Sequence, residues 1–261
     1  MQYSFYDEFT NKTIKLGITG LIDNGYLVGS FEDTIASFSE FISYVKFGWL
    51  ISVVDPNLKE KIKILNSFDI DFCFGGSLAE KCIASDRLDI FDNMLEKYSP
   101  SYIEISNGTV SMDLEYKARF IEKYCKDFKV LSEVGSKDLE VSNKMSPRRW
   151  IEEISHDLEA GAYKVITEAR EEGTGGMCRD GGELRFGLIE EIIECLNTDD
   201  IIFEAPNTEM QGYFINSIGS GVNLSNIPFS SVLNLHTLRV GYRSETFSIH
   251  SEGENKDEKS K

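Results

Sequence analysis

The segment that decides the fold runs from residue 130 to residue 168 and reads VLSEVGSKDLEVSNKMSPRRWIEEISHDLEAGAYKVITE. It begins and ends with short apolar runs rich in β-branched residues, which are typical of buried strands. Between them, Ser146-Pro147 opens a helical pattern over residues 148–160, and Gly161 closes it. Proline just inside the start of a helix and glycine just past its end are the expected signals. The segment therefore predicts a strand, a helix and a second strand in succession.

The same alternation extends along the whole chain, and Ser30 predicts the N-cap of another helix. The strand candidates are residues 16–22, 44–47, 70–74, 102–105, 130–134, 164–167, 201–203 and 222–224. Eight such units predict an α/β protein of the (β/α)8 TIM-barrel class, which typically needs about 250 residues. We expect one barrel domain over residues 1–247 and a polar, disordered tail over residues 248–261. A doubly wound open sheet shows the same alternation and is the main alternative.

The chain is strongly acidic, with 44 Asp and Glu residues against 27 Lys and Arg residues and a net charge of −17. This charge repels nucleic acid and anionic lipid, so neither is an expected partner. No apolar run approaches the roughly 18 residues of a membrane span, and the first residues, MQYSFYDE, do not resemble a secretory signal. Five cysteines at wide, irregular spacing indicate reduced thiols in a cytoplasmic protein, not a disulfide framework or a zinc site. Self-association into a homo-oligomer stays open.

Carboxylates stand at the ends of four successive predicted strands, whereas the chain has only three histidines. The four residues are Glu104, Glu133, Glu168 and Glu204. Glutamate is depleted in strands, so this repetition indicates a site, and in a barrel the functional face lies where strands end. Converging carboxylates repel one another unless a cation neutralises them, and Mg²⁺ prefers oxygen ligands. We expect two or three of these glutamates to bind Mg²⁺, the alternative being ion pairs with Lys46 or Arg170.

Basic and amide side chains are expected at the same end of the barrel. Lys46, Lys137 and Arg170 follow or occupy predicted strands, and Arg179, Arg185, Arg239 and Arg243 are further candidates. Arg239 is a candidate substrate ligand because barrel phosphate sites often use the loops after strands seven and eight; the alternative is a solvated or carboxylate-paired position. The candidate amide ligands are Asn107, Asn223 and Asn226. Glycines at 173, 175, 176, 181 and 182 predict a mobile lid after strand six, although an ordinary flexible loop fits as well.

Six motifs at these strand ends resemble the phosphosulfolactate synthase family. They are residues 44–49 (YVKFGW), 103–109 (IEISNGT), 132–138 (SEVGSKD), 167–171 (TEARE), 203–207 (FEAPN) and 222–228 (VNLSNIP). The resemblance implies a cytoplasmic barrel lyase that adds sulfite to C3 of phosphoenolpyruvate, with Mg²⁺ stabilising an aci-carboxylate, on a route to coenzyme M. It also implies that Lys137, or alternatively Lys46, protonates C2, which calls for a lowered lysine pKa. Arg170 and a more distal arginine would then clamp the phosphate or the sulfite.

The sequence departs from the family pattern at several places near the expected site. Residues 48–52 read GWLIS where the family has GWGTS, and residues 75–80 read GGSLAE where it has GGTLFE. Residues 12–17 read KTIKLG in place of KPRETG, and Gln211-Gly212 replaces a Gln-Gln pair. Two alternatives therefore stay open. One is a paralogue that uses the same magnesium–enolate step on a different nucleophile or acceptor, and the other is a non-catalytic, stress-related barrel.

Overall fold

Parallel strands form the centre of the computed structural model, which describes residues 14–110, 112–170 and 175–249. The strands of this part of the chain are β1 (Thr19–Asp23), β2 (Tyr44–Phe47), β3 (Asp71–Phe74), β4 (Tyr102–Ile105), β5 (Lys129–Val134), β6 (Lys164–Thr167), β7 (Ile201–Glu204) and β8 (Leu224–Pro228). Their order is β3-β2-β1-β8-β7-β6-β5-β4, and every ladder is parallel.

Helices connect these strands and surround them. They are α1 (Val28–Phe38), α2 (Ile51–Val54), α3 (Leu58–Ser67), α4 (Gly76–Ala84), α5 (Leu88–Tyr98), α6 (Leu114–Tyr124), α7 (Leu139–Lys144), α8 (Pro147–Glu159), α9 (Phe186–Cys195), α10 (Thr208–Ile218) and α11 (Val232–Arg239). Short 3₁₀ turns add Ser39–Phe41, Thr198–Asp200, Phe229–Ser231 and Ser244–Thr246. Among the described residues, no helix is long and apolar enough to cross a membrane.

The ring of strands closes where β3 meets β4. The Ser101 hydroxyl donates to Asp71 Oδ1 at 2.5 Å at one end of this seam, and the Gly76 amide donates to Glu104 Oε1 at 2.6 Å at the other. Because the two outermost strands of the sheet order are in contact, the sheet is a nearly closed barrel. This confirms the predicted (β/α)8 fold over the open-sheet alternative.

Helix ends test the local sequence signals. Ser146 caps α8 as predicted, its hydroxyl accepting from the Arg149 amide at 3.3 Å, and Gly161 follows the helix with a φ of +103°. The Ser30 prediction is wrong, because α1 starts earlier, at Val28. The Ser30 hydroxyl instead donates to the Leu27 carbonyl at 3.0 Å from within the first turn.

Two layers of side chains fill the barrel interior, and their order positions the site. The lower layer is apolar and contains Tyr44, Cys73, Tyr102, Leu131, Ile166 and Ile202. Side chains alternate between the faces of a strand, so the residue two positions further on points to the same interior. In five strands that residue is charged and buried: Lys46, Glu104, Glu133, Glu168 and Glu204. The strand period therefore gathers five charged groups in one layer at the carboxyl ends of the strands.

Some predictions concern residues outside the described part of the chain. These are Gly173 of the expected lid, residue 171 of the TEARE motif, residues 1–13 of the expected barrel domain with the KT of the 12–17 motif, and the tail from residue 250 onward. All five cysteines lie in the described part and are free thiols. The cytoplasmic location and the homo-oligomer stay predictions.

Candidate active site

A cavity with an empty volume of about 400 Å³ opens at the carboxyl ends of the strands. It brings together most of the side chains that the sequence nominated. Those that line it are Lys46, Glu104, Glu133, Lys137, Glu168, Arg170, Glu204 and Asn226. They come from six different strands or the loops that follow them, so the barrel itself assembles the site.

Lys46 lies deep in the cavity between two glutamates. Its Nζ is 2.9 Å from Glu204 Oε1 and 3.2 Å from Glu104 Oε2. The other oxygen of each glutamate accepts a backbone amide: Glu104 Oε1 from Gly76 and, at 2.8 Å, Glu204 Oε2 from Ala169. Both glutamates are thereby fixed in position, and they in turn fix the ammonium group.

Lys137 lies nearer the mouth of the cavity. Its Nζ is 3.3 Å from Glu133 Oε1 and 3.6 Å from Glu168 Oε2, and its side chain is 17% exposed against 6% for Lys46. The longer distances and greater exposure make Lys137 the more accessible of the two lysines. It is therefore the better placed to contact a bound molecule.

The pKa values of both lysines are raised. Burial alone would lower the pKa of Lys137, but the carboxylates of Glu133 and Glu168 outweigh burial and raise it above its usual value. Glu104 and Glu204 do the same for Lys46. The expectation of a lowered lysine pKa is wrong for Lys137, because the charged groups around it are carboxylates. In this arrangement Lys137 carries its proton at neutral pH.

Three of the glutamates form a compact carboxylate triad: Glu133, Glu168 and Glu204 each offer an oxygen within 4.8 Å of the others. Burial raises the pKa of Glu204 to about 7 against the pull of Lys46. Burial and the neighbouring carboxylates raise that of Glu168 well above its usual value. For Glu133, Lys137 and Lys46 outweigh burial and lower the pKa to about 2. The four glutamates of the lining therefore outnumber its three cationic side chains, Lys46, Lys137 and Arg170, and the raised pKa values of Glu168 and Glu204 show that their charged forms are disfavoured without a further cation.

Two nominated residues lie at the opposite, amino-terminal end of the barrel. Arg239 donates to the carbonyls of Ser220 at 2.5 Å, Val222 at 2.7 Å and Ile18 at 3.0 Å. Asn223 accepts from the Ile18 amide at 3.0 Å through Oδ1. Their predicted role in substrate binding is wrong, because β8 begins after Asn223 and α11 runs back from the site to that end, where Arg239 is its last residue. Both fasten the base of the barrel.

The remaining nominated residues lie beside the cavity or elsewhere. Asn107 lines a neighbouring depression together with Gly108 and Ser136, so the structure does not bring it into the main cavity. Arg185 donates to the carbonyls of Ser142, Met145 and Gly176 and acts as a clamp for the loop after β6. Arg243 pairs with Glu245 at 3.1 Å and donates to Asn234. Arg179 lines a separate surface pocket beside α9.

Sequence reasoning missed Glu80, a buried carboxylate one turn into α4. It accepts from the Ser106 hydroxyl at 2.5 Å and from the Thr109 amide at 3.1 Å. Between these two residues, the Gly108 carbonyl accepts from the Lys137 amide at 3.1 Å. Glu80 therefore holds the loop that supports Lys137. The available signal was its place one turn after Gly75-Gly76, but strand ends alone could not reveal a helical residue.

The turn after β2 has unusual backbone geometry. Trp49 and Leu50 have φ values of +46° and +59°. Left-handed backbone costs roughly 1–2 kcal/mol for each residue with a side chain. Strain of this kind persists where the surrounding structure imposes it and clusters at functional sites. Trp49 lines the cavity, so the strain lies at the site.

Solved structures of low sequence identity share the fold. The structure of 3-keto-L-gulonate-6-phosphate decarboxylase from Vibrio cholerae O1 biovar El Tor str. N16961 has a TM-score of 0.55 at 7% identity and covers 86% of this chain and 97% of its own. That of 3-hexulose-6-phosphate synthase has a TM-score of 0.54 at 10% identity and covers 85% and 99%. At such identities these similarities show the barrel architecture alone.

Sequence comparison identifies much closer relatives. Phosphosulfolactate synthase from Bacillus subtilis (strain 168) is 48% identical over 241 residues, covering 92% of this chain and 96% of the relative. Phosphosulfolactate synthase from Methanothermobacter thermautotrophicus is 36% identical over 241 residues, covering 91% and 93%. A sequence model of the (2R)-phospho-3-sulfolactate synthase (ComA) family matches residues 7–245. The chain therefore belongs to the phosphosulfolactate synthase family.

Proposed function

We propose that this protein is a Mg²⁺-dependent lyase that adds sulfite to C3 of phosphoenolpyruvate to form phosphosulfolactate. Family membership supports the reaction class. The observation that carries the proposal is the buried carboxylate triad with the ammonium group of Lys137 beside it. Clustered buried charge of this kind destabilises a fold unless it is compensated, so a purely structural barrel would have no need of it.

The donor set of the triad fits a hard divalent cation. Its three ligand atoms are carboxylate oxygens, the type that Mg²⁺ prefers. Glu133 Oε1 and Glu168 Oε2 are buried and accept no hydrogen bond from the described residues, although both face Lys137. Glu133, Glu168 and Glu204 would hold the ion. When bound, Mg²⁺ would supply positive charge to the carboxylate oxygens of phosphoenolpyruvate as negative charge grows there.

The protein's own side chains would handle the proton and the remaining charges. The sulfur lone pair of sulfite forms the bond to C3, and the electrons of the C2–C3 double bond shift towards the substrate carboxylate. Lys137, the more exposed lysine, then gives its proton to C2, a carbanion-like carbon far more basic than an amine, so the raised pKa keeps Lys137 protonated until this step without preventing the transfer. Lys46 is locked between Glu104 and Glu204, which suits it to holding an anionic group in place. Arg170 lines the same cavity and would pair with the phosphate or the sulfite.

One observation favours a second candidate, a paralogue with another nucleophile. Leu50 is a large residue in a left-handed turn beside the cavity, at a place where the family pattern has glycine. A different turn could select a different attacking group. Incubation with phosphoenolpyruvate, sulfite and Mg²⁺ separates the two candidates, because the paralogue would bind phosphoenolpyruvate without consuming sulfite.

The test is to incubate the purified protein with phosphoenolpyruvate, sulfite and Mg²⁺ and to follow the phosphorus signal by NMR. We expect the enol-phosphate signal to be replaced by an alkyl-phosphate signal only when all three are present. Omission of sulfite and addition of EDTA are the controls. Phosphoenolpyruvate that is bound but never converted, with sulfite and Mg²⁺ present, would contradict the proposal and favour the paralogue.

A further inference from the structure

The cavity is lined mainly by charged groups, and Trp49 is the aromatic side chain among the described residues that line it. Trp49 is 51% exposed, whereas the protein's other tryptophan, Trp150, is fully buried. An indole that lines a cavity and is still half-exposed lies at the mouth, where bound molecules enter. Besides Trp49, Ile22 supplies the other apolar side chain of the lining.

The backbone holds Trp49 in this place from both sides. The Gly48 amide donates to the Asp23 carbonyl at 2.9 Å, and the Ile51 amide donates to the Gly48 carbonyl at 2.8 Å. An ideal Cβ at Gly48 would lie 2.9 Å from Ile22 Cδ1, so the chain passes close against β1 immediately before Trp49. The turn is therefore anchored to the barrel, and the left-handed conformation of Trp49 is imposed on it.

The distribution of left-handed residues separates this turn from ordinary loops. Among the described residues, the non-glycine residues with positive φ fall into two groups. One group consists of small polar residues at or just after helix ends, where this conformation is common: Asp69, Asp86 and Ser99. The other group consists of Trp49 and Asn226, which line the cavity, and Leu50, which directly follows Trp49. Bulky residues in this conformation occur only in the second group. This indicates that the strained backbone serves the position of a side chain at the cavity.

We infer that Trp49 is a substrate-contacting residue whose indole covers the methylene face of bound phosphoenolpyruvate and shields it from bulk water. This inference rests on the proposed function. C3 of the enol is a CH₂ group with no charge, and the indole offers it an apolar surface that the surrounding lysines and glutamates do not. Exclusion of water also strengthens the ionic contacts around the reacting atoms and leaves Lys137 as the proton donor to C2.

Fluorescence quenching by acrylamide tests the contact without turnover. Sulfite is left out, so that phosphoenolpyruvate stays intact, and its binding in the presence of Mg²⁺ is measured separately by calorimetry. Buried Trp150 is shielded from the quencher, so the quenchable emission belongs to Trp49. We expect bound phosphoenolpyruvate to lower the quenching constant severalfold, and we expect Trp49→Phe to remove the quenchable fraction. Calorimetric binding with an unchanged quenching constant would overturn the role of Trp49 alone, whereas absence of binding would overturn the proposed function and this inference together.

Turnover of three variants provides the second readout. Trp49→Ala should lower kcat/KM roughly tenfold, because the lost cover affects both substrate contact and orientation. Trp49→Phe should recover most of that loss, since it restores an aromatic face. Val54→Ala is the matched control, because Val54 lies on the same short segment and is 69% exposed but does not line the cavity. Equal kcat/KM for Trp49→Ala and Val54→Ala, with equal melting temperatures, would overturn the inference.

Discussion

Two kinds of buried charge lie in this barrel, and they are built differently. Lys61 and Lys117, outside the cavity, each meet aspartate at close range: Lys61 Nζ is 2.6 Å from Asp23, and Lys117 Nζ is 2.7 Å from Asp157. In the cavity, two lysines share four glutamates at distances of 2.9 to 3.6 Å. In the first kind, each ammonium group lies within 2.7 Å of an aspartate supplied by the fold. The second has more carboxylates than lysines, an imbalance that protons or a further cation can reduce.

This difference shows how a buried ion pair can be assigned to structure or to function. Lys117 also donates to the Glu133 carbonyl at 2.6 Å, and Ser132 donates to Asp157 at 2.7 Å, so that network uses fixed partners of the same fold. In the cavity, burial raises the pKa values of Glu168 and Glu204, and repulsion from the neighbouring glutamates adds to the shift. A group whose environment disfavours its charge is a candidate functional group.

The largest expected effect comes from removing the accessible ammonium group of the cavity. Lys137→Ala should lower kcat by roughly 10²–10⁴-fold, the usual contribution of a positioned general acid. Stability should change little, because the two glutamates that Lys137 faces lie among carboxylates that can take up protons. Steady-state kinetics with thermal melting measures both quantities. Lys144→Ala is the matched control, since Lys144 is exposed and pairs with Glu140 on its own helix. Turnover near that of the control would remove Lys137 from the mechanism.

The next effect concerns the buried ion pair between Lys117 and Asp157, and it is an effect on stability. Lys117→Met should lower the free energy of unfolding by about 3–5 kcal/mol, because it leaves the buried charge of Asp157 without its partner. Urea denaturation measures the change. The double variant Lys117→Met/Asp157→Leu is the control and should recover most of the loss, since it removes both charges. A single variant as stable as the unaltered protein would show that Asp157 does not need Lys117 as its buried counter-charge.

A smaller effect is expected at Glu80, a buried carboxylate whose hydrogen-bond donors are a hydroxyl and a backbone amide and not a lysine. Glu80→Ala should lower the free energy of unfolding by about 1–3 kcal/mol, because the buried Ser106 hydroxyl and the Thr109 amide lose their acceptor. It should also lower kcat, since the loop that supports Lys137 loses its hold. Glu80→Gln keeps an acceptor oxygen and should retain most of both properties. Equal kcat for Glu80→Ala and Glu80→Gln would show that Glu80 does not act on turnover through Lys137.

Strand positions and strand-end residues could be predicted because both follow from local periodicity. The predicted bounds of β2, β4 and β6 agree with the structure, and the rule that barrel sites lie at strand ends brought the four glutamates together. The eighth strand runs over Leu224–Pro228, whereas the sequence predicted it at residues 222–224. Its register against β1 shifts between Thr19 and Leu21, and Asn226 takes a positive φ, an irregularity that apolar periodicity does not reveal.

Side-chain roles were harder to predict, because they depend on which end of the barrel a residue reaches. Arg239 and Asn223 stand close in sequence to the end of the last strand unit but lie at the amino-terminal end of the barrel, where they bind backbone carbonyls and an amide. Glu80 reaches the site from a helix, so a search confined to strand ends missed it. Sequence proximity to a strand end was therefore informative for strand residues and misleading for helix and pre-strand residues.

The smallest expected effect has the opposite sign and gives the sharpest separation of the two kinds of charge. Glu168→Gln should raise the stability of the metal-free protein by about 1 kcal/mol, because a neutral side chain of equal size removes the cost of burying a carboxylate and its repulsion from Glu133 and Glu204. The same change should weaken Mg²⁺ binding, since it removes one of the three carboxylates of the triad. Melting in EDTA and calorimetry with Mg²⁺ measure the two effects. Asp157→Asn is the matched control and should destabilise the protein, because Lys117 would lose its counter-charge. If Glu168→Gln destabilised the metal-free protein as Asp157→Asn does, the charges of the cavity would be a network that stabilises the fold by itself. The clustered carboxylates would then no longer be an argument for a bound cation.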